Sequence, residues 1–189
     1  MLIILALLAV ALTAFFIWQN NDIVITEIDY RDAYVPQAFD GFRILQVSDL
    51  QSKSFGRSQQ TLLRLSAECQ PDIIVITGDL MDGHSKNIEA AMDFAENAVE
   101  IAPIYYVSGN HEWLSGRYDE LCGRLKTAGI TVLDNSHIAL KTGWIWCFRD
   151  MHTADRYGCR SSAGCSRRVR AGFPSTPAAC IKWGILLWC

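Results

Sequence analysis

The chain has 189 residues, which is enough for one ordinary domain with a packed core. Half of its residues are hydrophobic, but they are spread unevenly over three unlike segments, 1–18, 19–142 and 143–189. Residues 1–142 carry 18 acidic and 10 basic side chains. This acidic balance argues against a nucleic-acid partner, because binding a phosphate backbone requires clustered Lys and Arg.

The first segment, 1–18, contains no charged side chain and ends at Trp18. Its length is at the short end for crossing a bilayer, and Trp18 is placed as an interfacial anchor. We therefore expect a single-pass anchor in the cell membrane, formed by residues 2–18, with the following domain on the outer side. A cleaved signal peptide is the main alternative, although the segment lacks a basic start and a small-residue cleavage site. A buried helix is the third interpretation.

The second segment, 19–142, has the pattern of an α/β domain. Short apolar, β-branched runs alternate with segments that have helical periodicity. We predict strands over 23–30, 42–47, 73–77, 104–107, 130–133 and 137–140, and helices over 58–69, 85–100 and 117–127. This order predicts βαβ units wound around a mainly parallel sheet.

Three polar motifs follow three of the predicted strands directly. Motif 1 is Ser-Asp-Leu-Gln at 48–51, motif 2 is Gly-Asp-Leu at 78–80, and motif 3 is Gly-Asn-His-Glu at 109–112. In open α/β sheets, ligands bind outside the carboxyl ends of the strands. We therefore expect the three motifs to converge on one rim of the sheet.

The residue types in these motifs predict a dinuclear metal site. Asp49 and Gln51 are two apart at a strand end, so both can point into the crevice. Asp79 can place one carboxylate between two cations about 3.5–4 Å apart. Asn110 offers a neutral amide oxygen to the second metal. His111 is then the catalytic acid at the leaving oxygen, while a metal-activated water attacks phosphorus.

Two weaker interpretations accompany this site. The aspartates are also suited to strand-end caps and turns, and Gln51 is also suited to a hydrogen bond at the rim rather than to a metal. Glu112 is a candidate partner that orients His111. Three ordered motifs at strand ends favour the metal site over a purely structural role.

The order of the motifs resembles that of the calcineurin-like metallophosphoesterases, whose signature is Asp-x-His, Gly-Asp and Gly-Asn-His-Asp/Glu behind successive strands. The resemblance covers about 23–140, and the apolar start looks most like the membrane-associated bacterial branch of the family. It implies an αββα sandwich, of which 19–142 would form roughly the N-terminal half. It also implies two divalent metals and hydrolysis of phosphomonoesters or phosphodiesters. Asp49, Asp79 and Asn110 carry over as metal ligands and His111 as the acid.

The sequence departs from the family pattern in two ways. Gln51 stands where the family usually has His, which favours Mn²⁺ or Mg²⁺ over Zn²⁺ or Fe. The later histidines of the family, including a Gly-His-x-His segment, have no match, and His152 is the single histidine after His137. We therefore expect weak activity or none. The alternative function is a truncated, non-catalytic, membrane-anchored remnant of such an enzyme.

The third segment, 143–189, holds five of the seven cysteines and four of the six tryptophans, and stretches of it such as 158–170 show neither helical nor strand periodicity. We favour an out-of-frame translation that begins near 143, so that the C-terminal part of the family domain is lost. A genuine but unusual extension is the alternative.

The membrane anchor favours a lipid-linked phosphoester substrate, while soluble phosphodiesters and phosphoproteins stay open. Nothing in the sequence indicates a protein partner.

Overall fold

The computed structural model describes residues 1–19, 22–32, 35–85, 87–134, 136–140, 144–147 and 179–188. The helices are α1 (Leu2–Gln19), α2 (Gln60–Glu68), α3 (Glu89–Ala98), α4 (Asn110–Ser115) and α5 (Tyr118–Thr127). The strands are β1 (Ile23–Asp32), β2 (Arg43–Val47), β3 (Ile73–Ile76), β4 (Ile104–Tyr106), β5 (Thr131–Val132), β6 (His137–Leu140), β7 (Trp144–Cys147) and β8 (Ala179–Trp188).

Six of these strands form one sheet in the order β1-β8-β2-β3-β4-β5. Strands β2, β3, β4 and β5 are parallel neighbours, and α2 and α3 lie in the connections between the first three of them. Strand β8 is parallel to β2 and antiparallel to β1. Strands β6 and β7 form a separate antiparallel pair. The predicted α/β fold with a mainly parallel sheet is confirmed.

Both faces of the central strand β3 are buried, which explains its unbroken apolar sequence. Ile74 and Ile76 belong to a large core cluster with residues of α2, α3 and α5. Ile73 and Val75 point to the other face, where they pack in a second cluster with Phe39. Each such side chain contributes roughly 1.5–3 kcal/mol on burial. The sheet is therefore the rigid element from which the motifs extend.

The helices differ from the sequence prediction in their bounds, and the structure has one helix, α4, that the sequence does not predict. Helix α3 begins at Glu89 rather than at 85, because local side-chain bonds hold the preceding turn: Ser85 Oγ accepts the Asn87 N–H, and Asn87 Oδ1 accepts the Glu89 N–H. Helix α2 begins at Gln60, after a 3₁₀ turn over Arg57–Gln59. Helix α4 was not predicted, since its six residues are too few to show a period.

The first segment forms helix α1, and its side chains are exposed through residue 16. Within the parts of the chain that are described, no helix combines the length and the apolar character needed to cross a membrane. The transmembrane span expected over 1–18 is therefore not confirmed. Of the third segment, residues 143, 148–178 and 189 lie outside the described residues. The interpretation of 143–189, and the αββα sandwich, stay predictions.

Candidate functional site

Motifs 1 and 2 lie side by side at the carboxyl ends of β2 and β3. The Asp49 N–H donates to the Gly78 carbonyl at 3.2 Å, and the Gln51 N–H donates to the Asp79 carbonyl at 2.9 Å. One residue further on, the Ser52 N–H donates to the Leu80 carbonyl, also at 2.9 Å. The two motifs therefore continue the pairing of the strands beyond the sheet itself.

The backbone of these motifs is strained. Asp49, Gln51 and Ser52 adopt left-handed φ values of 57°, 47° and 59°, and Asp79 has a φ of 53°. Each non-glycine residue in this region costs roughly 1–2 kcal/mol. Such strain persists only where the surrounding structure fixes it, and it is concentrated at functional sites.

Motifs 2 and 3 touch through two glycines. A Cβ added at Gly78 would lie 2.4 Å from the Gly109 nitrogen, and one added at Gly109 would lie 2.2 Å from Asp79 Oδ1. Gly78 also has a φ of 97°, which favours glycine. This close approach lets Asp79 Oδ1 accept the His111 N–H at 2.9 Å. The Asp79 carboxylate therefore lies against the first turn of α4.

The donor set of the predicted metal ligands fits a hard divalent cation in its chemistry. Asp49, Gln51, Asp79 and Asn110 all offer side-chain oxygen, which is the ligand atom preferred by Mg²⁺ and Mn²⁺. Asp49 Oδ2 accepts the Ser48 hydroxyl at 2.5 Å. Gln51 and Asn110 are both partly buried in the structure.

The carboxylates alone do not form a cluster. In the described ranges, no group of three or more His, Cys, Asp or Glu side chains lies close enough to hold a metal ion. Gln51 and Asn110 carry amides rather than carboxylates, so they fall outside such a set. The structure therefore brings the three motifs to one rim, while the assignment of metal ligands stays a prediction.

His111 is held by contacts to the turn after motif 2. Its Nδ1 accepts the Gly83 N–H at 2.9 Å and lies 3.8 Å from Asp82 Oδ1, and its side chain is 24% exposed. Because Nδ1 is an acceptor, the proton of the neutral ring is at Nε2. The N–H of His84 lowers the pKa of Asp82, which keeps this neighbour of His111 ionised.

Asp82 is the residue that sequence reasoning missed. It stands three residues after Asp79, in the turn that leaves motif 2. The spacing Gly-Asp-x-x-Asp was the available signal, but a second carboxylate in a turn is usually solvated. Its closeness to His111 depends on how α4 approaches that turn.

Glu112 makes different contacts from those expected. It is fully buried, and its carboxylate accepts the N–H groups of Asp79, Leu80 and Gly109 at 2.9, 2.6 and 2.7 Å. Burial raises the pKa of Glu112, while the N–H groups of Asp79 and Gly109 act in the opposite direction. The expected role of orienting His111 is not what these contacts show, since the His111 ring is held by Gly83.

Comparisons with known proteins find sequences similar to this chain. The family model for calcineurin-like phosphoesterases matches residues 42–159. A zebrafish (Danio rerio) transmembrane protein with metallophosphoesterase domain is 31% identical over 108 residues, which are 54% of this chain and 24% of that protein. Two Bacillus subtilis proteins, the uncharacterized metallophosphoesterases YkoQ and YkuE, are 30% and 36% identical over 104 and 59 residues.

The matches to YkoQ and YkuE cover 52% and 30% of this chain and 38% and 21% of those proteins. The chain thus spans well under two thirds of the length of these relatives. No solved structure matches it significantly. The family model covers more than half of the chain and includes all three motifs. The chain therefore belongs to the calcineurin-like phosphoesterase family.

Proposed function

We propose that this chain hydrolyses phosphoester bonds, in phosphodiesters or phosphomonoesters, at the rim formed by motifs 1, 2 and 3. Membership of the calcineurin-like phosphoesterase family supports the reaction class. The observation that carries the proposal is the direct contact between Asp79 and motif 3, in which Asp79 Oδ1 accepts the His111 N–H. The donor is the backbone N–H of His111, so the Asp79 carboxylate is held against the first turn of α4, at the end of the neighbouring strand.

Asp49, Gln51, Asp79 and Asn110 are the proposed ligands of two divalent cations, with Mn²⁺ or Mg²⁺ favoured by their oxygen donors. When bound, such cations activate a water as the nucleophile and neutralise charge on the phosphoryl oxygens. Asp49 and Gln51 belong to the strained backbone of motif 1, directly after β2. Asn110 is the first residue of α4, and the backbone N–H of its neighbour His111 donates to Asp79 Oδ1.

His111 is the proposed acid for the leaving oxygen. Its Nδ1 is occupied by the Gly83 N–H, so the ring donates from Nε2. The ring is partly exposed and can therefore reach a bound ester. Asp82 Oδ1 lies on the same side of the ring as the Gly83 N–H, 3.8 Å from Nδ1.

The proposal is tested by hydrolysis of bis-p-nitrophenyl phosphate with added Mn²⁺. We expect release of p-nitrophenol above the rate of Mn²⁺ alone, and a fall of at least about tenfold in Asp79→Asn, which removes one proposed ligand charge. Asp119→Asn is the matched control, because Asp119 is an exposed carboxylate in the first turn of α5. Equal rates in the wild type and in Asp79→Asn would contradict the proposal and favour the non-catalytic remnant.

The proposed function extends to attachment to the membrane and to the fold of the whole domain. We propose that α1 attaches the chain to the cell membrane with the domain on the outer side, since its side chains are apolar and exposed through residue 16. A lipid-linked phosphoester would then be the nearest substrate. The sheet described above would form one half of the αββα sandwich that the family resemblance implies.

A further inference from the structure

The carboxylate of Glu112 binds a cluster of backbone N–H groups in motifs 2 and 3. Oε1 accepts the Leu80 N–H at 2.6 Å and, at a longer 3.4 Å, the Met81 N–H. Oε2 accepts the N–H groups of Asp79 and Gly109 at 2.9 and 2.7 Å. Glu112 has no exposed surface, so these bonds replace its hydration.

These N–H groups need such a partner because the strand has ended. Strand β3 stops at Ile76, and the chain then takes left-handed φ values of 97° at Gly78 and 53° at Asp79. Successive N–H groups in this kind of turn point to one side and form an anion-binding concavity. Here the anion that occupies the concavity is a side chain of motif 3.

The bonded turn carries the Asp79 side chain. Because the same carboxylate binds the Asp79 N–H and the Gly109 N–H, it fixes the start of α4 relative to the turn of motif 2. The Gly78–Gly109 contact and the bond from the His111 N–H to Asp79 Oδ1 both depend on that relation.

We propose that Glu112 is a positioning residue for Asp79: by binding the N–H groups of Asp79, Leu80 and Gly109, it holds the Asp79 carboxylate in the orientation that a divalent cation requires. This inference rests on the proposed function for the role of Asp79 as a ligand. Glu112 itself is buried behind the turn and acts through the backbone, without contact to substrate.

The deciding experiment is amide hydrogen exchange in the wild type and in Glu112→Gln, followed residue by residue. The substitution replaces one carboxylate oxygen by an NH₂ group, which cannot accept a hydrogen bond. We expect protected amides at Asp79 and Leu80 in the wild type and a loss of protection of about tenfold or more in the variant. Glu120→Gln is the matched control, since Glu120 is exposed and pairs with Arg117.

The Ile74 amide, which bonds to the Pro103 carbonyl, reports on the sheet. Its protection should be unchanged in Glu112→Gln, which separates local loosening of the turn from unfolding. Unprotected Asp79 and Leu80 amides in the wild type, or unchanged protection in the variant, would overturn the proposal. Both outcomes are independent of whether the chain hydrolyses phosphoesters.

A second measurement determines the affinity for Mn²⁺. We expect Glu112→Gln to weaken Mn²⁺ binding by about 10–100-fold with the Ile74 amide still protected. Glu112→Asp keeps both acceptor oxygens and should lose less affinity than Glu112→Ala. Wild-type affinity in all three variants would overturn the positioning role. A wild type that binds no Mn²⁺ would instead count against the proposed function, and the exchange measurement would still decide the role of Glu112.

Discussion

The site is built from side chains whose order is visible in the sequence and whose orientation is not. Asp49, Asp79 and His111 could be placed on one rim because each follows an apolar strand. The left-handed backbone at Asp49 and Gln51 could not be predicted, because it is imposed by hydrogen bonds to motif 2. The approach of Asp82 to His111 likewise depends on loop contacts between distant segments.

The role of His111 as an acid gives a prediction at this scale. His111→Ala should slow hydrolysis of a phosphodiester with a poor leaving group, such as phenol, by about 10²–10⁴-fold. The decrease in rate should be smaller for the p-nitrophenyl ester, because p-nitrophenolate leaves without needing a proton. The measurement is kcat for both esters with Mn²⁺ present.

His84→Ala is the control for this comparison. His84 also lies near Asp82, at 3.5 Å, but its side chain is 91% exposed, and we expect wild-type rates in the variant. Equal losses for both esters in His111→Ala would show that His111 does not protonate the leaving oxygen.

At the scale of the elements, apolar pattern and length decided which structures could be predicted. Strand β3 stands out because a strand buried on both faces must be apolar throughout. Helix α4 has six residues and begins inside motif 3, so its sequence carries only the signal of the motif. The delayed start of α3 follows from side-chain bonds of Ser85 and Asn87, which compete with the helix.

The contact between motifs 2 and 3 gives a prediction at this scale. Gly78→Ala should lower the free energy of unfolding by about 1–2 kcal/mol or more, because an alanine at φ 97° is strained and its Cβ would overlap Gly109. Urea denaturation monitored by circular dichroism measures the change.

Gly123→Ala is the opposite case in the same experiment. Gly123 is exposed within α5, and a Cβ there would meet no atom within 4 Å. The substitution should raise the free energy of unfolding by about 0.5–1 kcal/mol, because alanine is a better helix former. A Gly78→Ala variant as stable as the wild type would contradict the close packing of motifs 2 and 3.

At the scale of the whole molecule, the parallel sheet was predictable, but its full order was not. Alternation of strands and helices implies that β2, β3 and β4 are neighbours, as observed. Strand β8 lies between β1 and β2 although it comes from the last residues of the chain. No strand is predicted over 179–188, so its insertion between β1 and β2 could not be derived from the order of the predicted elements.

The proposed chemistry, like the family assignment, implies that the rim formed by motifs 1, 2 and 3 binds a divalent cation. A ligand that binds only the folded chain also stabilises it. A variant that binds the cation more weakly should therefore also show a smaller rise in melting temperature when the cation is added. Mg²⁺ and Mn²⁺ are the ions favoured by the oxygen donors of the rim. Removal of the metal by a chelator should return the melting temperature to that of the metal-free chain.

Titration of the metal-free chain with Mn²⁺ by isothermal calorimetry tests this requirement most directly. We predict saturable binding by the wild type and by Asp119→Asn, and a loss of affinity of at least about tenfold in Asp79→Asn. The melting temperature should rise with Mn²⁺ in the first two proteins and rise less in Asp79→Asn at the same Mn²⁺ concentration. The same affinity in all three proteins, or no binding by the wild type, would contradict a cation site at Asp79.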